Sequence, residues 1–160
     1  MPHFSRVLSA NGDGTGTKNA IGDYSSGQNF FIAPPAGSIY TITRMIVQIR
    51  DAGVFTADKY GFISELSTGI SVLLLDDDDN TLVDLTDGLP VTCNADWGRL
   101  CHDVTHMDWG AGDEFISARW TFSKFGRPIQ LHGDSGQKFA VHLEDDMTGL
   151  VDHLFTVQGT

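Results

Sequence analysis

The stretch Gly69–Gly88, GISVLLLDDDDNTLVDLTDG, passes from six mostly apolar residues into four aspartates and an asparagine, then into a second apolar run. Both flanks are short and rich in leucine and β-branched residues, which favours strands over amphipathic helices. Asp and Asn favour turns because their side chains bond their own backbone. The stretch therefore predicts a hairpin of strands Ile70–Asp76 and Thr81–Leu85 with a solvated acidic turn.

A calcium loop is the alternative for the same acidic residues. Asp76, Asp78, Asn80 and Asp87 occupy the first, third, fifth and twelfth places of the calcium-loop template. The template asks for Gly at the sixth place and Glu at the twelfth, where this chain has Thr81 and Asp87. The hairpin is the preferred interpretation, and a cation that relieves the carboxylate repulsion stays open.

Outward from this hairpin, the chain continues as short apolar runs separated by turn residues. Further strands are predicted at Asn29–Ala33, Ser38–Arg50, Pro90–Asn94, Glu114–Lys124, Pro128–Leu131, Gln137–Asp145 and Val151–Gln158, with one helical turn at Ala95–Cys101. Phe139, Val141 and Leu143 alternate with polar neighbours, as expected for a strand with one buried face. The fold class expected is all-β, an antiparallel β-sandwich resembling a jelly roll.

The long strand Ser38–Arg50 changes its alternation partway along. Tyr40 and Ile42 have the opposite parity to Met45, Val47 and Ile49. A β-bulge near Thr43, or a bend there between two sheets, would explain the change.

The N-terminal segment SANGDGTGTKN, residues 9–19, contains mostly turn-forming residues. We expect residues 1–18 to form a flexible arm and residues 19–160 a single β-sandwich domain. The arm could order on a neighbouring protein through Phe4, Val7 and Leu8. The alternative is that Phe4–Leu8 forms an integral edge strand of the sandwich.

The net charge and composition of the chain limit the kinds of partner that it can bind. The chain has 160 residues and a formal charge of −11, which repels nucleic acid and anionic membranes. We expect no direct nucleic-acid partner and no membrane association, since the sequence contains neither a signal peptide nor a membrane span. Cys93 and Cys101 lack a zinc or redox spacing and are expected to be reduced thiols.

The segment CHDVTHMDWG, residues 101–110, holds the densest group of reactive side chains. His102 and His106 have the spacing of two metal ligands on one helix face, with Asp103 between them. Val104 disfavours helix and the HExxH glutamate is missing, so an exposed polar loop is the preferred interpretation. His153 is interpreted as a hydrogen-bonded core or interface histidine.

Motifs for nucleophilic catalysis, such as GxSxG and SxxK, are missing from the sequence. We therefore expect a protein that is not an enzyme and has no cofactor. Binding hot spots favour Trp and Arg, and Trp120 stands beside Arg119. Candidate contacts with a partner protein or a second subunit are Phe4, Val7, Leu8, Arg44, Arg50, Arg119, Trp120 and Arg127. The arginines could equally form internal ion pairs.

Three segments carry a resemblance that covers nearly the whole chain from Gly12 onward: RMIVQIRD, ELSTGI and DDMTGLVDHLFTVQG. The sequence resembles the capsid decoration, or cement, proteins of tailed bacteriophages, which are small jelly-roll structural proteins of the virion. The resemblance implies a homotrimer on the capsid surface, made in the host cytoplasm, that bridges subunits of the major capsid protein and stabilises the head. The alternative is a receptor- or glycan-binding module of a head fibre, neck or tail, using Trp97, Trp109 and Tyr60.

Overall fold

The computed structural model of the chain describes residues 3–15, 22–51, 70–85, 103–108, 114–122, 128–148 and 152–160. Within these residues the secondary structure is almost entirely β-strand. The strands are β1 Phe4–Val7, β2 Gln28–Ile32, β3 Ile39–Asp51, β4 Ile70–Leu75, β5 Thr81–Asp84, β6 Asp103–Asp108, β7 Glu114–Thr121, β8 Ile129–His132, β9 Lys138–Leu143 and β10 Asp152–Gly159. A short 3₁₀ helix, Gly133–Ser135, joins β8 to β9. No helix among the described residues is long and apolar enough to span a membrane.

The strands form two antiparallel sheets that pack against each other. The first has the order β1-β10-β3-β7-β6, with β8 pairing the first half of β3, and the second has the order β2-β9-β4-β5. All pairings are antiparallel. The predicted antiparallel β-sandwich is confirmed.

The pairings are nested along the chain. β4 pairs β5 at the centre, β3 pairs β7 and β8 around them, β2 pairs β9, and β1 pairs β10 at the outside. Such nesting describes one long hairpin ribbon, folded so that its successive strand pairs alternate between two sheets. This is the jelly-roll arrangement, and the turn after Leu75 is the tip of the ribbon.

The change of alternation in β3 is a β-bulge. Gln158 of β10 pairs Arg44, and the next residue, Gly159, pairs Ile42, so Thr43 has no partner across the ladder. The Thr43 hydroxyl donates instead to the Gln158 carbonyl oxygen at 3.3 Å. The predicted bulge is confirmed, and β3 stays in the six-stranded sheet on both sides of it.

The core fills the space between the inner faces of the two sheets. The six-stranded sheet contributes Ile42, Met45, Val47, Ile49, Phe155 and Val157, and the four-stranded sheet contributes Phe30, Ile32, Val72, Phe139, Val141 and Leu143. Because the bulge reverses the parity of β3, both Ile42 and Met45 face this core and are fully buried. A smaller apolar cluster, Leu73, Leu75 and Ala140 with Phe31, lies on the other face of the four-stranded sheet.

The N-terminal segment is part of the sandwich. Phe4–Val7 pairs with β10, and Leu8 is completely buried in the core. The following loop bonds to β2, where Ser9 and Phe31 exchange backbone hydrogen bonds of 3.2 and 2.9 Å. Of the two alternatives for Phe4–Leu8, the integral edge strand is the one that the structure has.

Strand β6 corrects the interpretation of residues 103–108 as a polar loop. β6 pairs with β7 from Asp103↔Arg119 to Asp108↔Glu114. Backbone pairing with β7 therefore holds residues 103–108 in the sheet, although these residues are mostly polar. The predicted strand Pro90–Asn94 and the helical turn Ala95–Cys101, with both cysteines, lie outside the described residues.

Candidate interaction surface

The acidic turn at the tip of the β4–β5 hairpin is held by its own hydrogen bonds. The Asp76 carboxylate accepts from the backbone N–H groups of Asp78 and Asn80 at 3.0 and 2.8 Å, and from the Asn80 amide at 3.0 Å. The bonds from Asn80 are the main reason why the pKa of Asp76 is lowered from its ordinary value. The predicted hairpin is confirmed, since β4 and β5 pair on either side of this turn.

The cation that contacts this turn is Lys138. Its ammonium donates to the Asp79 carboxylate at 2.7 Å and to the Asp77 carbonyl at 3.0 Å. Asp79 has a positive φ of 64°, which brings its side chain round the turn. The Asp76 oxygens thus accept from neutral N–H groups, and one of the four carboxylates of the turn, Asp79, is paired with an ammonium, so the turn stays acidic. Within the described part of the chain, no three His, Cys, Asp or Glu residues are grouped to hold a metal ion.

The edge of the six-stranded sheet at β1 exposes backbone hydrogen-bonding groups. The Leu8 N–H donates to the Phe155 carbonyl at 2.8 Å, so Leu8 is one of the residues whose backbone points toward β10. In an antiparallel pair this orientation alternates, so the N–H and C=O groups of Ser5 and Val7 point away from β10. No described strand pairs β1 itself on that outer side, but Ser9, the next residue with this orientation, exchanges backbone hydrogen bonds with Phe31 of β2 there.

Two shallow surface grooves flank the start of β1, one on each face of the sheet. The groove of about 410 Å³ is lined by Arg6, Ile39 and Tyr40, and the groove of about 460 Å³ by Ser5 and Arg44. His3 and Phe4 line both grooves.

Strand β5 lies at one edge of the four-stranded sheet. All four of its residues, TLVD, are exposed. Leu82 is 49% exposed and Val83 is 44% exposed, which is uncommon for apolar side chains within a strand. A register shift in the β4–β5 pairing falls beside Leu82.

The outer face of the six-stranded sheet carries two of the predicted contact arginines. Arg44 lies opposite Gln158, whose side-chain oxygen accepts from its guanidinium at 3.2 Å, and Arg119 lies opposite Ile46. Both arginines are half-buried. The Arg44 Nε atom is buried and has no hydrogen-bond partner among the described residues.

The predicted contact residues fall into separate groups. Leu8 and Trp120 are 0% and 2% exposed, so the prediction that they contact a partner is corrected: both side chains pack in the core. Phe4 is partly buried against Tyr40, with 4.8 Å between ring centroids, and Val7 is half-buried. Arg50 lies in strand β3, and the structure does not describe its side chain.

Several other residues predicted to be functional lie outside the described part of the chain. Arg127, His102 and the proposed glycan-stacking aromatics Tyr60, Trp97 and Trp109 lie outside the described residues. His106 is in β6, and the spacing that would bring it beside a second ligand applies to helices and not to strands.

His153 is buried among aromatic rings. Its ring centroid lies 5.9 Å from that of Tyr24, 5.3 Å from that of Phe30 and 5.0 Å from that of Phe155. The predicted core position is confirmed, but the predicted hydrogen bond is wrong, since neither ring nitrogen has a partner among the described residues. Burial lowers the pKa of His153 to about 4, against an opposing effect of the Asp152 charge.

The sequence matches no known protein family and no curated protein. Among solved structures, a chain described as BspA_C_WT aligns with 97% of this chain at 11% identity, with a TM-score of 0.23. The alignment spans 40% of the length of that chain. At this TM-score the likeness carries no argument, and the class of protein rests on the fold itself, an antiparallel β-sandwich of jelly-roll topology.

An edge strand at Phe4–Leu8 was one of two alternatives from the sequence, whereas an edge at β5 was not predicted. The sequence does contain a signal for β5, because Leu82 and Val83 are adjacent, so a strand cannot bury both on one face. No comparable signal marks the outer side of β1, since its unpaired groups belong to the backbone.

Proposed function

We propose that this chain is a structural protein of a tailed-phage virion, a homotrimeric decoration protein that bridges subunits of the major capsid protein and stabilises the head. The observation that carries a role in assembly is the edge strand β1, which no other described strand pairs between Phe4 and Val7 on the side away from β10, with a groove on either face. The choice of a capsid as the target rests on the sequence resemblance to decoration proteins.

An open edge strand suits repeated, shape-specific contact. Backbone hydrogen bonds along a strand edge provide affinity, and the flanking grooves provide specificity. On a symmetric shell, three identical copies joined in a trimer multiply a weak contact into strong attachment. The half-buried Arg44 on the sheet face, whose Nε atom has no hydrogen-bond partner among the described residues, offers a charge-assisted hydrogen bond to a carboxylate of a shell protein.

The direct test uses undecorated phage heads. The purified protein is expected to sediment with the heads and to raise their melting temperature with increasing protein concentration, as mass action requires. Light scattering on the free protein is expected to give a trimer. A protein that neither sediments with heads nor changes their melting would overturn the proposal. Undecorated heads incubated with an unrelated acidic protein of similar size provide the control.

A further inference from the structure

His153 is a polar side chain that the core encloses without a hydrogen bond. Its imidazole is completely buried, and within the described part of the chain neither ring nitrogen has a partner. Across the ladder it pairs with Ile49 of β3, and its ring contacts Phe30 and Phe155, which are themselves buried. Such a site suits the neutral imidazole, because a buried charge without a partner is far more costly than a buried neutral group.

Tyr24 is the partly exposed member of the three aromatic rings around His153. Its ring meets the imidazole at an interplanar angle of 82°, and it packs on Phe30 at 5.3 Å between centroids. Phe30 and Phe155 are in strands, whereas Tyr24 precedes β2 in a turn, where the Gly27 N–H donates to the Tyr24 carbonyl at 2.8 Å. Displacement of Tyr24 would therefore bring water to His153 without separating two strands.

Residues 22–27, which we call the Tyr24 turn, are attached to the segment that follows β9 by an isolated bridge. The Tyr24 N–H donates to the Asp145 carbonyl and the Met147 N–H donates to the Gly22 carbonyl, both at 3.0 Å. Between these bonds, Asp23 lies opposite Asp146. β2 itself pairs with β9 over five residues, so the bridge can open while the strand stays in its sheet.

The charged groups near His153 favour its protonated form once the ring reaches water. Asp152, the preceding residue in β10, opposes the effect of burial on the pKa of His153. The bridge beside Tyr24 adds three carboxylates: Asp23, Asp145 and Asp146. Tyr24 stays neutral in acid, since burial raises the pKa of its hydroxyl. The residues of β2 and β3 that contact or pair with His153 are uncharged.

We infer that the Tyr24 turn is an acid-operated latch: protonation of His153 releases residues 22–27 from their bridge and opens the core beneath Tyr24 to water. At neutral pH the uncharged imidazole packs under the Tyr24 ring and the latch is closed. In acid the imidazolium gains water and the nearby carboxylates only when the turn has moved away. The latch does not depend on the proposed capsid role.

Proton linkage gives the size of the effect. The pKa of His153 is about 4 in the closed form, and in the open form it has its ordinary value of 6.5. Because the closed form has the lower pKa, the open form binds the proton first as pH falls, so opening begins below about pH 6.5. The equilibrium constant for opening is expected to increase about 20-fold between pH 7 and pH 5.

Amide hydrogen exchange, measured by NMR on the parent protein, tests the latch through the bonds that hold it. Corrected for intrinsic exchange rates, the protection of the Tyr24 and Met147 amides is expected to fall about 20-fold from pH 7 to pH 5. Low urea should leave these two amides unaffected while it accelerates exchange in the β3–β10 ladder, which requires global unfolding. Protection that does not change with pH, or that shares the urea dependence of β3–β10, would overturn the inference.

His153→Phe removes the titrating group. The Tyr24 and Met147 amides of this variant are expected to keep the same protection at pH 7 and pH 5. The 20-fold fall of the parent protein, if it persisted in His153→Phe, would assign the acid response to a carboxylate such as Asp145 and overturn the inference.

Two substitutions of Tyr24 test its role as the cover. Tyr24→Ala removes the ring, and Tyr24→Phe, the matched control, removes only the hydroxyl. In an NMR titration, the His153 ring of Tyr24→Ala is expected to move toward its ordinary pKa of 6.5, whereas that of Tyr24→Phe keeps the parent value. A parent-like midpoint in folded Tyr24→Ala would show that Tyr24 is not the cover. If Tyr24→Ala fails to fold, the exchange measurements on the parent protein and His153→Phe still decide the inference.

Discussion

Protonation of His153 should control the stability of this sandwich between pH 7 and pH 5. The imidazole is completely buried against Tyr24, Phe30 and Phe155, and its pKa is about 4 in the folded protein, against an ordinary value of 6.5. Because the folded pKa is the lower one, the unfolded chain binds the proton first as pH falls. Stability is therefore complete above about pH 6.5 and is lost progressively toward pH 4.

The two pKa values set the size of the loss. Proton linkage gives a decrease in the free energy of unfolding of about 2 kcal/mol between pH 7 and pH 5, and about 3 kcal/mol once the pH reaches 4. Hydrogen bonds lower the pKa of the exposed carboxylates Asp13, Asp23 and Asp76 below 3.8, so these groups lose their protons at lower pH than this window. These three carboxylates therefore stay ionised in the window from pH 7 to pH 5, and comparison with His153 variants separates the effect of this imidazole from that of other titrating groups.

Urea unfolding at half-unit pH steps measures the effect. His153→Phe and His153→Leu remove the titrating group, and both are expected to lose about 2 kcal/mol less than the parent protein between pH 7 and pH 5. The slope is independent of any packing cost that either variant adds at all pH values. His132→Phe, at an exposed position, is the matched control for replacing a histidine by phenylalanine. A His153→Phe slope equal to that of the parent would refute the assignment.

Three further perturbations test the fold. Deletion of residues 1–18 is expected to cause unfolding or aggregation in circular dichroism melting, because it removes an edge strand and a buried leucine; a truncated protein that melts normally would contradict this. Gly12→Ala and Gly37→Ala both place a side chain at positive φ, but a Cβ on Gly12 would overlap the Phe31 ring while Gly37 faces open space. Gly12→Ala should therefore cost at least about 2 kcal/mol more in urea unfolding, and equal costs would contradict it. Lys138→Met should cost under about 1 kcal/mol, with the difference shrinking in 1 M salt, and a salt-independent loss would point to packing instead.

The alternation of polar and apolar residues predicted the buried faces of the strands well. Strand β9 reads as polar and apolar residues in turn, and Phe139, Val141 and Leu143 are all fully buried. The reversal of parity in β3 predicted a bulge or a bend near Thr43, because period 2 places residues of opposite parity on opposite faces of a regular strand, and the structure has the bulge. Trp120 could have been placed in the core by the same rule, since it alternates with Arg119 and Thr121.

Composition misled where backbone pairing decided the structure. Strand β6 has the side chains of a polar loop, and its place in the sheet depends on β7, a partner that cannot be read from residues 103–108 themselves. The N-terminal glycines suggested a flexible arm. At Gly12 the missing side chain instead allows the loop to pack directly on Phe31.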